Sequence, residues 1–418
     1  MSPSTTSPYH RRPTCRGCGG GDLVCVLELG PQPLANAFPT SPAAFAGEAR
    51  YPLDLCVCGD CFLVQILDVV DPEVLFREYL YVSGTSRTMN EHFAGYAAHV
   101  LDLLELGPED LAVEVASNDG SLLKHFRDAG TRVLGIEPAR NVTELSRAIG
   151  LETMNEFFDA ECAKTARERY GPAAVVMANN VFAHVDEPSG FLVGCRTMLG
   201  EGGYVIIEVP YLADMLERLE YDTIYHEHLS YFSITALLPL FARSGLSIVR
   251  IDHHPVHGGS LRIHAKRRED EPEHSAPVLE MAEREAAGGL RGMDAYSDFG
   301  AAVARSRDEL NELLDGYRRA GKRVVGYGAS AKGNTLLNYC RIGPDTLGYV
   351  VDRNPLKVGR FTPGTHIPVR DVDILEAQVP DAILVLAWNY ADEIIDQLAW
   401  LRDRGTDFIV PVPHARVM

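Results

Sequence analysis

The densest run of reactive side chains in the sequence is YDTIYHEHLSYF, residues 221–232. From Tyr225 to Tyr231 it packs two tyrosines, two histidines and a glutamate into seven residues. Imidazole titrates near neutrality, and a neighbouring carboxylate can set its tautomer and basicity, so His226, Glu227 and His228 are equipped for general acid/base chemistry. A catalytic zinc site is the rival reading. The two histidines flank Glu227 without the i, i+4 spacing of a helical HExxH site, which counts against metal. A cluster of mutually satisfied surface groups is the blander alternative.

A second chemistry is written in the cysteines. Cys15 and Cys18 form one CxxC turn, and Cys58 and Cys61 a second. Each turn holds two thiolates on one side of a bend, and two of them build a closed tetrahedral zinc site that is structural, because the protein fills every position. The two-residue bite leaves Cys25 and Cys56 spare. Incidental core cysteines or a redox pair are the alternative.

Two glycine-containing loops mark places for nucleotide-like ligands. In LAVEVASNDG, an apolar strand at residues 111–115 carrying Glu114 runs into Ala116, Ser117, Asn118 and Asp119, then a helix at 121–128. A second strand, 132–136, ends in Glu137 and Pro138 about twenty residues on, where such sheets put a carboxylate for the ribose hydroxyls. Ala116 and Asn118 stand where a dinucleotide fold has glycines, so a phosphate-free ligand, S-adenosylmethionine, is favoured over NAD. Later strand ends carry Phe157 and Phe158, either of which would cover an adenine or simply pack, and Asn179, Asn180 and His184.

The second loop follows the strand at 323–327, which ends in Tyr327. Its Ser330, Lys332, Asn334 and Thr335 at a helix start make a diphosphate cradle, and Asp352 follows at the ribose distance. Asn389 closes a later strand. His257 and Gly258, in a histidine-rich turn at 253–260, suit contact with a polar ligand. Tyr79 and Tyr81 are two apart, so on an extended segment both hydroxyls face one side, toward a sugar or into packing.

The elements that must hold these groups alternate. Strands and helices succeed one another from 111 to 209, which gives a parallel sheet, and again from 323 to 410. The charged, proline-containing stretch 267–277 separates the two. The reading is α/β throughout: a tail at 1–13, a zinc-binding module at 14–70, a Rossmann-like domain at 71–267 and a second at 268–418. With 418 residues, 46% of them hydrophobic, several cores are required. A net charge of −19 argues against nucleic acid or an anionic membrane as partner. No apolar run is long enough to cross a bilayer, and the opening MSPSTTSPYHRR lacks a secretory h-region. A cytoplasmic location is expected, with the nine cysteines reduced or bound to metal.

The CxxC pairs, VEVASNDG, YDTIYHEH, PVHGGSLR, VVGYGASAKGNT and TPGTHIPV, in that order, make the sequence resemble the S-adenosylmethionine-dependent C-methyltransferases of TDP-linked keto-deoxysugars, as in tetronitrose and mycarose pathways. The resemblance spans residues 14–418. It implies a zinc module, a methyl-donor domain and a C-terminal domain for the nucleotide of the sugar. By resemblance His228 is the base that removes an acidified C3 proton, with Glu227 orienting it. Tyr225, with Tyr79 or Tyr81, would steady the enolate oxygen, and His184 would support the site. Methylation at C5, or an NAD-dependent sugar oxidoreductase, is the alternative enzyme, and a non-catalytic zinc-ribbon adaptor the alternative class. A monomer is compatible with all of these.

Overall fold

The computed structural model of the chain describes residues 8–79, 82–85, 87–254 and 258–418. Near the N-terminus, β1 (Tyr9–Arg11) pairs with β5 (Asp68–Val70), while β2 (Leu23–Glu28), β3 (Asp54–Cys58) and β4 (Val64–Ile66) form an antiparallel sheet. The antiparallel register sets Cys25 opposite Cys56, and the two are joined in a disulfide. This corrects the expectation that they are spare and reduced: residues facing across neighbouring strands are brought together by pairing, which CxxC spacing does not report.

The central sheet follows the helix Arg87–Leu104. Its strands are β6 (Leu111–Val115), β7 (Arg132–Ile136), β8 (Thr153–Met154), β9 (Ala173–Asn179) and β10 (Leu199–Pro210), with β11 (Ser230–Tyr231) leaving to join another sheet before β12 (Leu246–His254) and β13 (Ser260–Arg267). The order is β12-β13-β10-β9-β6-β7-β8. From β10 to β8 the strands are parallel, while β13 runs antiparallel to β10 and β12 antiparallel to β13. Every residue of β6 is buried, as a strand covered on both faces requires. His253 and His254, expected in a turn, are the end of β12 and pair with Leu261 and Ser260, because the antiparallel ladder with β13 runs on through them.

The C-terminal sheet consists of β14 (Val324–Tyr327), β15 (Leu347–Val351), β16 (Val369–Arg370), β17 (Ala382–Val385), β18 (Asp407–Val410) and β19 (Arg416–Val417), ordered β16-β15-β14-β17-β18-β19. All neighbours are parallel except β18 and β19. The helix Asp294–Arg319 precedes it and buries Tyr296, Phe299, Val303, Ser306, Leu310, Leu314 and Tyr317, a stripe at three- and four-residue spacing.

These parts interlock around the reactive segment. Ser230 and Tyr231 of β11 pair with Gln65 and Val64 of β4, so the segment supplies an edge strand to the zinc module. Leu53 and Leu55 of that module share one core with Tyr221 and Ile224 and with Leu336 and Leu337 of the C-terminal part. Tyr221 is fully buried with its hydroxyl 3.6 Å from Cys340 Sγ, and Trp388 Nε1 donates to Asp222 at 2.6 Å. No described helix is long and apolar enough to cross a membrane.

Candidate active site

The thiols of Cys15, Cys18, Cys58 and Cys61 lie within 4.8 Å of one another, with Cys15 to Cys61 and Cys18 to Cys58 both at 3.6 Å. Four sulfurs on a tetrahedral zinc at about 2.3 Å stand about 3.8 Å apart, so the set fits the ion. Backbone amides of Gly17 and Gly20 donate to Cys15 and Cys18, and Gln65 Nε2 donates to Cys15 Sγ at 3.1 Å, which offsets thiolate charge. The zinc is structural: all four positions are filled by protein.

One cavity of about 590 Å³ lies where the three parts meet. Each Rossmann-like sheet has a switch point, between β6 and β9 and between β14 and β17, where neighbouring crossovers diverge and leave a crevice at the strands' carboxyl ends. Both crevices open into this cavity, since Glu114, Ala116, Ser117, Asn118, Asn179 and Asn180 line it from one side and Ser330, Lys332, Ala387 and Asn389 from the other.

On the first side, Ala116, Asn118 and Asn180 all take left-handed backbone conformations, with φ of 55°, 49° and 53°. The loop therefore follows a glycine-type path without glycine at those places, held by the Ala116 amide on the Ile136 carbonyl at 2.7 Å and by the Asn118 amide on Glu137 at 2.8 Å. Glu137 also accepts from the Ala139 amide at 2.8 Å, and Pro138 lines the wall beside it. Asp119 accepts from the Gly84 and Ser121 amides and does not line the cavity. Phe157 lies under the Arg77 guanidinium at 4.7 Å, whereas Phe158 packs edge-on against Phe191; both line the cavity. Glu114 Oε2, Asn179 Oδ1 and Ser117 Oγ are buried with no hydrogen-bond partner among the described residues. Burial holds the Glu114 carboxyl well above its ordinary range, while the Asn179 amide works the other way. Unsatisfied acceptors on a cavity floor cost free energy until a ligand donor arrives, so this acceptor set fits the ammonium and hydroxyl groups of S-adenosylmethionine.

In the middle stand Tyr225 and His228. His228 Nδ1 lies 2.8 Å from the Thr223 carbonyl, which can only accept, so that nitrogen carries the proton and Nε2 offers its lone pair. Tyr225 O–H meets Nε2 at 2.9 Å. His184 lies edge-on to His228 at 4.9 Å, and burial takes its pKa down to about 4, so it is neutral. Glu227 is not beside His228: its carboxylate accepts from Asn36 at 2.6 Å and from Tyr79 at 3.3 Å, off the cavity wall. The group that orients the imidazole is the Thr223 carbonyl, which no side-chain pattern announces. His226 is buried and bonded to the Pro52 carbonyl at 3.1 Å. Tyr79 lines the cavity; Tyr81 lies outside the described residues.

On the second side, Ser330 caps the helix Ala331–Cys340 by accepting from the Gly333 amide, and Lys332 reaches Glu220 at 3.4 Å. Gly328 has φ +92°, and a Cβ there would meet Ala387 at 2.9 Å, so the loop needs glycine. Asp352 accepts from the Ala329 and Asn354 amides, each at 2.7 Å, tying the loop as Glu137 ties the first. Tyr327 sits in the core of the sheet, and Asn334 and Thr335 are buried, Asn334 donating to the Ala35 carbonyl; none of the three lines the cavity. Gly258 faces a much smaller neighbouring pocket against Glu220, and His257 lies outside the described residues. Asn36 and Glu220 escape sequence reasoning because distant chain segments bring them in, and Thr223, five residues from His228, because it acts through its backbone carbonyl.

Burial pushes the Glu227 carboxyl from 4.5 up to about 7 despite its two hydrogen bonds. The folded state then keeps a proton that the unfolded state has lost, so stability falls as pH rises from about 4.5 to about 7, by on the order of 3 kcal/mol for this group. Glu227→Gln should match the native chain in thermal unfolding at pH 4.5 and exceed it at pH 8. Midpoints that differ equally at both pH values would refute the assignment.

Comparison with known proteins agrees with this architecture. Family models match residues 15–76 as a zinc binding domain, 89–251 as a methyltransferase domain and 255–413 as a C-methyltransferase C-terminal domain. C-methyltransferase NovU of Streptomyces niveus is 37% identical over 404 residues, 97% of this chain and 96% of that protein. Similarity to solved structures is partial. Magnesium protoporphyrin IX methyltransferase of Synechocystis PCC 6803 with bound SAM covers 45% of this chain and 88% of its own at 14% identity and TM-score 0.34. A S-adenosylmethionine-dependent methyltransferase of Clostridium acetobutylicum covers 43% and 92% at 11% identity and TM-score 0.36. On the full-length match to NovU and the three domain models, the chain belongs to the C-methyltransferase family, S-adenosylmethionine-dependent enzymes with a zinc-binding N-terminal domain.

Proposed function

We propose that the enzyme methylates C3 of a TDP-linked 4-keto-deoxysugar through an enolate. The observation that carries this reading is the shared cavity: a donor-binding crevice and a second nucleotide-type crevice open onto one Tyr225–His228 pair. When bound at the first crevice, S-adenosylmethionine supplies an electrophilic methyl group. The nucleotide end of the sugar takes the second, with Ser330, Lys332 and Asn389 near its phosphates and Asp352 holding the loop.

The 4-keto group acidifies the proton at C3. His228 Nε2 removes it, with Nδ1–H held on Thr223 so that the basic nitrogen faces the cavity. Tyr225, whose hydroxyl meets that nitrogen at 2.9 Å, then donates to the enolate oxygen, where a hydrogen bond in a water-poor cavity is strong. Tyr79 hydrogen-bonds Glu227 at the cavity edge and positions that wall. Neutral His184 packs against His228 without competing for the proton.

Calorimetric titration with S-adenosylhomocysteine and with TDP should give two saturable sites, neither ligand displacing the other. With a 13C-methyl donor and a TDP-4-keto-deoxysugar, the product should carry its label on a quaternary C3. Label at C5 moves the reaction to the other side of the carbonyl, and no TDP binding discards the nucleotide-sugar substrate.

A further inference from the structure

Away from the cavity, the helix Arg87–Leu104 crosses the face of β10, β13 and β12 with His92, Tyr96 and His99 in one stripe. Register builds a polar ladder beneath it. Glu208 pairs with Arg262 and Arg262 with Asp252, while Arg250 pairs with His264, so Asp252 and His264 are diagonal neighbours on one face. The upper half of the ladder is satisfied internally: Arg262 bonds Glu208 at 2.8 Å and lies 4.0 Å over the Tyr96 ring, and His92 bonds Glu208 at 3.1 Å. The lower half is satisfied only in part, its Asp252 bonded by Arg250 and His264 while one nitrogen of each of His99 and His264 has no partner among the described residues.

There His99, Asp252 and His264 each present one ligand atom, all within 4.8 Å of one another. His264 is fully buried, and its Nε2 stands 3.2 Å from Asp252 Oδ2. Two ligands bound at about 2.1 Å on one tetrahedral metal stand at nearly that separation. His264 Nδ1 and His99 Nε2 are both buried without a hydrogen-bond partner among the described residues. Among the described residues no cation closes the place, because Arg262 is taken by Glu208 and Arg250 bonds only Asp252 Oδ1, so Oδ2 meets His264 alone.

We propose that His99, Asp252 and His264 form a second metal site, for a divalent transition cation of the zinc class, that clamps the helix Arg87–Leu104 onto the β12–β13 edge. Two imidazoles and one carboxylate suit zinc and leave a fourth position for water. The Arg250 guanidinium, on the other carboxylate oxygen, orients Asp252 as an outer partner of the ligand. Met89 and Phe93, on the same helix, line the methyl-donor side of the cavity, so fixing the helix also fixes that wall.

The test is a zinc count by mass spectrometry on the untagged full-length chain after equilibration with zinc and desalting. The native chain should hold two equivalents. His99→Gln and Asp252→Asn should each hold one, the four-thiolate ion remaining, and should lose the zinc-dependent rise in thermal midpoint. A single equivalent in the native chain, as when a water satisfies His99, overturns the site. Two equivalents retained in both variants overturn it as well. If either variant folds poorly, cobalt replacement decides in the native chain: a second cobalt with weak visible bands and no thiolate charge-transfer band is expected, and thiolate-bound cobalt alone overturns the proposal.

Discussion

His228→Asn should lower kcat about a thousandfold, within the range a positioned general base contributes. The substitution is chosen for its geometry. An asparagine amide can still donate to the Thr223 carbonyl, as Nδ1 does at 2.8 Å, so the loop keeps its shape while the basic nitrogen is lost. S-adenosylhomocysteine and TDP should therefore bind with affinities close to native, and the deficit should lie in kcat. Tyr225→Phe removes only the hydroxyl at 2.9 Å from Nε2 and should cost roughly a hundredfold, because one hydrogen bond to a developing oxyanion is worth about 3 kcal/mol. The double variant should be little worse than His228→Asn, since groups that act as a unit do not add. Near-native kcat in His228→Asn would move the base elsewhere.

Removing the zinc should have the second large effect, on folding and on activity together. Structural zinc contributes on the order of 10 kcal/mol in small modules, as much as a domain's ordinary net stability. Cys58→Ser should lose the metal and unfold the sheet of β2, β3 and β4, read as early proteolytic release of the N-terminal region and as loss of amide protection. The damage should spread. β11 of the catalytic segment pairs with β4, and Asn36 holds Glu227 at 2.6 Å, so Tyr225 and His228 lose their support although neither touches the metal. Turnover should fall by at least about a hundredfold, because small displacements of catalytic groups cost that much. Full activity in a zinc-free Cys58→Ser chain would sever the module from the active site.

Much of this is legible in the residues themselves. Apolar runs such as 111–115 and 324–327 read as buried parallel strands because they are covered on both faces, and the loops after them fall at strand ends by the same argument. The CxxC turns announce their chemistry through local spacing. Tyr225 and His228 stand three residues apart and meet across one tight turn, so sequence proximity sufficed there.

The rest depends on partners far apart in the chain. Glu227 adjoins His228 in sequence, yet the backbone turns its carboxylate to Asn36, 191 residues away. Cys25 and Cys56 meet only because β2 and β3 pair in that register. Asn334 and Thr335 belong to a loop that reads as a cradle, but the helix buries both, Asn334 on the Ala35 carbonyl of the N-terminal module. What His92, Tyr96 and His99 face is set by the pairing of β10, β13 and β12. Residue types and short spacings therefore determined the fold class, the zinc ligands and the run that carries the chemistry, because those rest on local periodicity and on intrinsic reactivity. Which way Glu227 faces, which polar groups are left unpaired and which loops share a cavity were decided by tertiary structure, because burial and hydrogen bonding there depend on segments far away in the chain.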